Sequence, residues 1–87
     1  VYINSIRVLI DKNKNEMAFC DMEDIYGTKK SIPIFASYWK YIKELITPSR
    51  RYLLNLYQTD NNSILFGKKQ YSVSESEIVR MVKILPN

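Results

Sequence analysis

The sequence has no histidine and a single cysteine, Cys20. A disulfide within the chain is therefore impossible, and a zinc site of mixed Cys and His ligands cannot be assembled. A lone thiol fits a reducing compartment, and the expected location is cytoplasmic. No apolar run approaches the roughly 20 residues that a membrane-spanning helix needs. No basic-then-apolar leader precedes Val1, so a soluble chain without a membrane partner is expected. Glycine is also scarce, with two residues, and proline has three. No Gly/Ser spacer, low-complexity stretch or internal repeat divides the chain. With 87 residues there is room for one core, and the expected organisation is a single domain over residues 1–87. Apolar patterning starts at Val1, which is not a methionine, and runs to Leu85, as expected of a unit excised from a longer chain.

Charge and aromatic residues are present in some excess. Lys and Arg number 13 against 9 Asp and Glu, a net charge of +4, and seven tyrosines, three phenylalanines and one tryptophan accompany them. A positive balance favours a polyanionic partner, although many soluble domains carry as much charge without one. The placement of the cations and rings along the chain has to decide.

Val1–Ile10 is rich in β-branched residues and reads as a first strand, and the polar stretch from Asp11 to Glu16 reads as a hairpin turn in which Asn13 and Asn15 take tight backbone conformations. In the second strand, Met17–Glu23, alternation sends Ala18, Cys20 and Met22 to an interior and Met17, Phe19, Asp21 and Glu23 to the opposite face. Asp24-Ile25-Tyr26-Gly27 forms the next turn, with Gly27 in a conformation other residues resist, and a third strand runs from about Lys29 to Phe35.

The period then changes. Tyr38, Tyr41, Ile42, Leu45 and Ile46 recur at helical spacing, Ser37 is a candidate N-cap, and Pro48 requires the helix to stop before it. Arg51–Thr59 reads as a fourth strand, Asp60-Asn61-Asn62-Ser63 as a turn, and Ile64-Leu65-Phe66 as the strand that pairs back. Residues 74–85 fit two patterns. Ser74 and Glu77 make a capping box for a helix, while Ile78-Val79 and Val82–Leu85 suit a strand, and the reading leans to strand. The resulting expectation is an all-β fold with one short helix: a five-stranded Greek-key barrel of the OB type, the helix lying between strands three and four.

The stretch from Met17 to Gly27, preceded by a Lys-rich turn and followed by Ile32-Pro33-Ile34-Phe35 and Tyr38-Trp39-Lys40-Tyr41, resembles the OB domain of bacterial DNA polymerase III alpha subunits. The resemblance covers Val1 to Thr59, and its motifs are moderately specific, since anticodon-binding OB domains share part of the pattern. Departures are Asn13 and Asn15 where the family often has Gly, Pro33 inside the third strand, and Tyr57 near a position that is commonly Gly. The resemblance implies a domain that handles the single-stranded template beside a polymerase whose chemistry lies elsewhere in the parent chain.

Single strands are held by cations on phosphates and by aromatic faces on bases. The candidates are Arg7 and Phe19 on a shared outer face, Lys12 and Lys14 in the first hairpin, Lys29 and Lys30 opening strand three, Tyr57 on strand four, and Lys68 with Lys69 after the last turn. Tyr38, Trp39 and Tyr41 are expected on the buried side of the helix, and Arg50 and Arg51 at the helix end, where positive charge is favourable. No catalytic residue is expected: Glu23 and Asp24 are adjacent on an extended segment, so their carboxylates point apart and cannot converge on one atom. Asp21 and Glu23 share a face, but a solvated strand face is the favoured reading over a metal site. No metal or cofactor is expected. Single-stranded DNA is the expected partner, with other replication proteins and RNA as alternatives, and a monomer is favoured.

Overall fold

A computed structural model describes residues 1–69 and 73–86. In chain order the elements are β1 (Tyr2–Ile10), β2 (Glu16–Glu23), β3 (Lys29–Ile34), α1 (Ala36–Ile42), β4 (Arg50–Leu54), β5 (Leu56–Gln58), β6 (Ile64–Phe66), α2 (Glu75–Arg80) and β7 (Val82–Ile84). Five strands form one antiparallel sheet in the order β3-β2-β1-β4-β7, and β5 and β6 form a separate hairpin. The expected β-rich architecture is present, with the helix between strands three and four. The expected single helix is corrected to two, and the five strands to seven among the described residues.

The β1–β2 hairpin is built as its alternation requires, with one irregularity. The register shifts between Ile3 and Ser5, so Asn4 is an extra residue and the parity of β1 changes there. Ile3 and Ile6 consequently face the same core from odd and even positions, which is why β1 mixes alternation with an apolar run. Ala18, Cys20 and Met22 are buried as expected, and Met17 is buried too, although alternation assigns it to the other face. In the hairpin turn the left-handed residue is Lys14 (φ 65°) rather than either asparagine. Asp11 fixes this turn by accepting the N–H groups of Asn13 and Asn15, each at 2.9 Å. Gly27 has φ 83°, as its turn demands. Pro33 sits on β3, at an edge of the sheet, where a missing N–H need not break a ladder.

α1 is shorter than the periodicity suggested and ends at Ile42; its N-cap is Phe35, with no side-chain cap, rather than Ser37. Trp39, Ile42 and Ile46 are buried, and Tyr38 and Tyr41 are half-buried against the core. Trp39 Nε1 donates to Glu16 at 2.9 Å, tying the helix to the start of β2. Tyr38 meets Phe66 edge-on, with centroids 5.6 Å apart. Gly67 passes directly beneath the Tyr38 ring, where a Cβ would collide with it, and its φ of 120° suits only glycine.

The fourth strand expected over 51–59 is two strands, because Asn55 carries the chain from one sheet to the other. Its N–H donates to Met81 O at 3.0 Å, its carbonyl accepts from Gly67 N at 2.9 Å, and its side-chain amide donates to Gly67 O at 2.9 Å. Residues 74–85, for which a strand was favoured, are a helix followed by a strand. Ser74 Oγ accepts the N–H of Glu77 at 3.3 Å, and Glu75, Glu77 and Arg80 suit the two ends of the helix dipole. The largest fully buried side chains are Tyr52, Phe66, Ile3, Ile34, Ile42 and Cys20. β6 lies alongside β3, but no ladder joins them among the described residues, so hydrogen bonding does not close the sheet into a barrel.

Candidate nucleic-acid interface

The β1–β2 and β2–β3 registers place Arg7 opposite Phe19 and Phe19 opposite Pro33, Ser5 opposite Asp21 and Asp21 opposite Ser31, and Glu23 opposite Lys29. Side chains alternate along a strand, so these residues share the face turned away from Ala18, Cys20, Met22, Ile32 and Ile34. The expected pairing of Arg7 and Phe19 on one outer face is thus met as geometry. The guanidinium carbon lies 5.5 Å from the Phe19 centroid, within range of a cation–aromatic contact.

Polar neighbours hold the guanidinium there. Arg7 Nη2 donates to Ser31 Oγ at 3.1 Å and lies 3.4 Å from Asp21 Oδ1, while the Arg7 side chain keeps 59% of its exposure. Ser5 Oγ donates to Asp21 Oδ2 at 2.7 Å. Hydrogen bonds from Ser5 and Ser31, with the nearby Arg7 charge, hold the Asp21 carboxyl below its ordinary range. Asp21 is therefore committed to orienting Arg7. A shallow depression of about 290 Å³ beside it is lined by Asn4, Asp21, Met22, Lys29, Lys30 and Ser31.

A second cation–aromatic pair extends this face. Tyr2 stands opposite both Glu23 and Arg51, and the Arg51 guanidinium lies 6.0 Å from the Tyr2 centroid. Arg50 and Arg51 do not cover the helix end; both belong to β4. Since Tyr52 points into the core, alternation within β4 was the available signal that Arg51 points outward with Leu53 and its cross-strand neighbour Lys83. Glu23 is four residues beyond Phe19, so the two aromatic platforms are about 13 Å apart along the sheet.

Lys12 and Lys14 project from the exposed hairpin tip at one end of this face. Lys29 and Lys30 separate: Lys29 faces outward opposite Glu23, while Lys30, opposite the buried Met22, lines a smaller cavity of about 150 Å³ with Val1, Leu56 and Ile64. Tyr57 is half-buried in the β5–β6 hairpin opposite Leu65, outside the five-stranded sheet. Lys68 and Lys69 lie beyond β6 and are engaged in exposed ion pairs, with Glu77 at 3.0 Å and Asp60 at 3.1 Å. A further depression, about 320 Å³, lies between the start of β2 and α1 and is lined in part by Glu16, Trp39, Lys40 and Lys43.

The remaining chemical candidates serve the fold. Asp24 Oδ1 accepts from Tyr26 N at 2.9 Å and Thr28 N at 3.0 Å, building the β2–β3 turn. Burial, helped by the Asp21 charge, pushes the Cys20 thiol up to about 12, so it is not a nucleophile at neutral pH. Among the described residues no three potential metal ligands gather in one place, and no helix is long and apolar enough to cross a membrane. Compared with protein-family models, curated proteins and solved structures, the chain has no significant match to any of them.

Proposed function

We propose that this chain is a partly open OB-type barrel that binds single-stranded DNA on the outer face of β1, β2 and β3, as a domain of a bacterial or phage replicative DNA polymerase III alpha subunit. One observation carries the reading: an exposed Arg7 and a half-buried Phe19 form a cation–aromatic platform whose geometry is fixed by Asp21 and Ser31. An aromatic ring face beside an oriented guanidinium offers a stacking surface and a phosphate ligand within one nucleotide's reach. The barrel reading is supported by the meander β1-β2-β3, the helix before β4, the return of β4 to β1, and the approach of β6 to β3. Lys12 and Lys14 at the hairpin tip and Lys29 at the opposite end supply further phosphate contacts. Tyr57, Lys68 and Lys69 are secondary in this reading, since they lie off the sheet face, and so is Lys30, which stands opposite the buried Met22 although it also borders the depression beside Asp21.

The test is binding of a labelled oligothymidylate by fluorescence anisotropy across a salt series. Three or four phosphate contacts give a log–log slope of about −2 to −3. Salt-independent affinity, or no binding at low salt, would refute the proposal. Competition with the matching RNA decides between DNA and RNA. A protein-docking role is the second reading, favoured by Ile25 and Tyr26, which stand 82% and 86% exposed on the Asp24-braced turn. It requires copurification with a replication protein and no oligonucleotide binding.

A further inference from the structure

β1 is paired along its whole length on one side only. β2 accompanies it from Tyr2 to Ile10, whereas β4 pairs with it at Tyr2 and Ile3 alone. Hydrogen bonds at both ends of β1 determine which residues face the unpaired side. Val1 N donates to Tyr52 O and Ile3 O accepts from Ser49 N, so odd residues before the bulge turn toward β4. After it, Asp11 N donates to Asn15 O across the hairpin, so odd residues turn toward β2. Ile6, Val8 and Ile10 therefore present their N–H and C=O groups to the open edge, where no backbone partner meets them among the described residues.

The same segment is poorly protected against strand addition. Val8, Leu9 and Ile10 are 52%, 37% and 62% exposed. Natural edges are usually blunted by a charge, a proline or a bulge. The bulge here lies before the segment, and its one charge, Arg7, is drawn across the sheet toward Asp21 and Ser31, away from the open side.

We infer that this edge pairs with the same edge of a second copy, β1 against β1 in antiparallel register about Val8. About Val8 the β-branched residues Ile6 and Ile10 are placed symmetrically, while Arg7 and Leu9 exchange places. With Val8 opposite Val8, Ile6 meets Ile10 of the second copy on one face and Arg7 meets Leu9 on the other. All the open N–H and C=O groups of Ile6, Val8 and Ile10 then find partners. Charges are compatible: Asp11 falls opposite Ser5 and diagonal to Arg7 of the second copy, no like charges stand directly opposite, and the two Lys12–Lys14 tips lie at opposite ends. Neither DNA nor the polymerase reading enters this inference.

Sedimentation equilibrium of the 87-residue chain from about 10 µM to about 1 mM tests it, because mass action makes such a dimer concentration-dependent. A monomer–dimer equilibrium is expected, with amide-exchange protection of Ile6, Val8 and Ile10 rising with concentration. Val8→Pro deletes an N–H that faces the open edge and not β2, so it should weaken dimerisation at least tenfold with far-UV circular dichroism unchanged. Ile10→Lys, which keeps every backbone group, should weaken it likewise should the proline disturb the hairpin. A monomer throughout, a dimer insensitive to both variants, or protection gained on β3 or β7 instead overturns the inference.

Discussion

Replacing Phe19 with leucine separates stacking from packing. Phe19 is half-buried between strands, opposite Arg7 on one side and Pro33 on the other, and Arg7 lies over its ring. Leucine retains most of that buried volume, so the fold should lose only about 1 kcal/mol. What leucine cannot supply is a flat face. A stacked base is worth about 1–3 kcal/mol, and with Arg7 already over the ring the lower part of that range applies, about 1–2 kcal/mol. That corresponds to about a 5- to 30-fold weaker dissociation constant for an oligothymidylate. Anisotropy titrations of both proteins at one low salt concentration measure it, with thermal melts confirming that both are folded. Because Phe19 does not itself touch phosphate, the salt slope should stay unchanged while the affinity falls. An affinity within twofold of the parent would refute stacking at Phe19, and a salt slope shallower by about 0.7 would show that the substitution had displaced Arg7.

Tyr52 is 1% exposed, and its hydroxyl accepts the Thr47 N–H at 2.9 Å. Tyr52→Phe leaves that donor to water at the rim of the fold, and a loss of about 1 kcal/mol, seen as a melting temperature about 4–8 °C lower, is expected. The two glycines should respond unequally: Gly27→Ala meets open space and suffers only the strain of a left-handed backbone, about 1 kcal/mol. Gly67→Ala adds a collision with the Tyr38 ring, and thermal melts should show the larger loss. Asp21 is held below its ordinary range by Ser5, Ser31 and Arg7, so its folded pKa lies under its unfolded one. Its stabilisation is complete above the usual carboxylate range of about pH 4 and disappears as pH falls through the folded value. Asp21→Asn should therefore flatten the acid side of the melting temperature against pH curve, and an unchanged acid limb would refute the assignment.

Local rules carried far in the N-terminal half. Alternation in Met17–Glu23 gave the right faces for Ala18, Cys20, Met22 and Phe19, and the unusual backbone of Gly27 followed from its turn. The paired faces of Arg7 and Phe19 were legible because strand alternation after the bulge is regular. Errors arose where long-range contacts outweigh local preference. Asn55 divides an unbroken strand pattern because Met81 and Gly67, distant in sequence, capture its polar groups. The strand favoured for residues 74–85 holds only for Val82–Ile84; Ile78 and Val79, also assigned to it, lie in the helix that the Ser74 cap begins.

By itself the sequence determined a small β-rich chain with a helix before its fourth strand, an outer face bearing Arg7 and Phe19, and no means of forming an internal disulfide. These follow from residue types and short periods, which act within a few bonds of one another. The tertiary structure alone decided that Arg51 lies over Tyr2, that Lys68 and Lys69 are engaged by acids, and that β1 leaves one edge open. Each depends on which strands become neighbours. That choice is set by the shared burial of side chains far apart in the chain, Tyr52, Phe66 and Ile3 among them, and no local pattern encodes it.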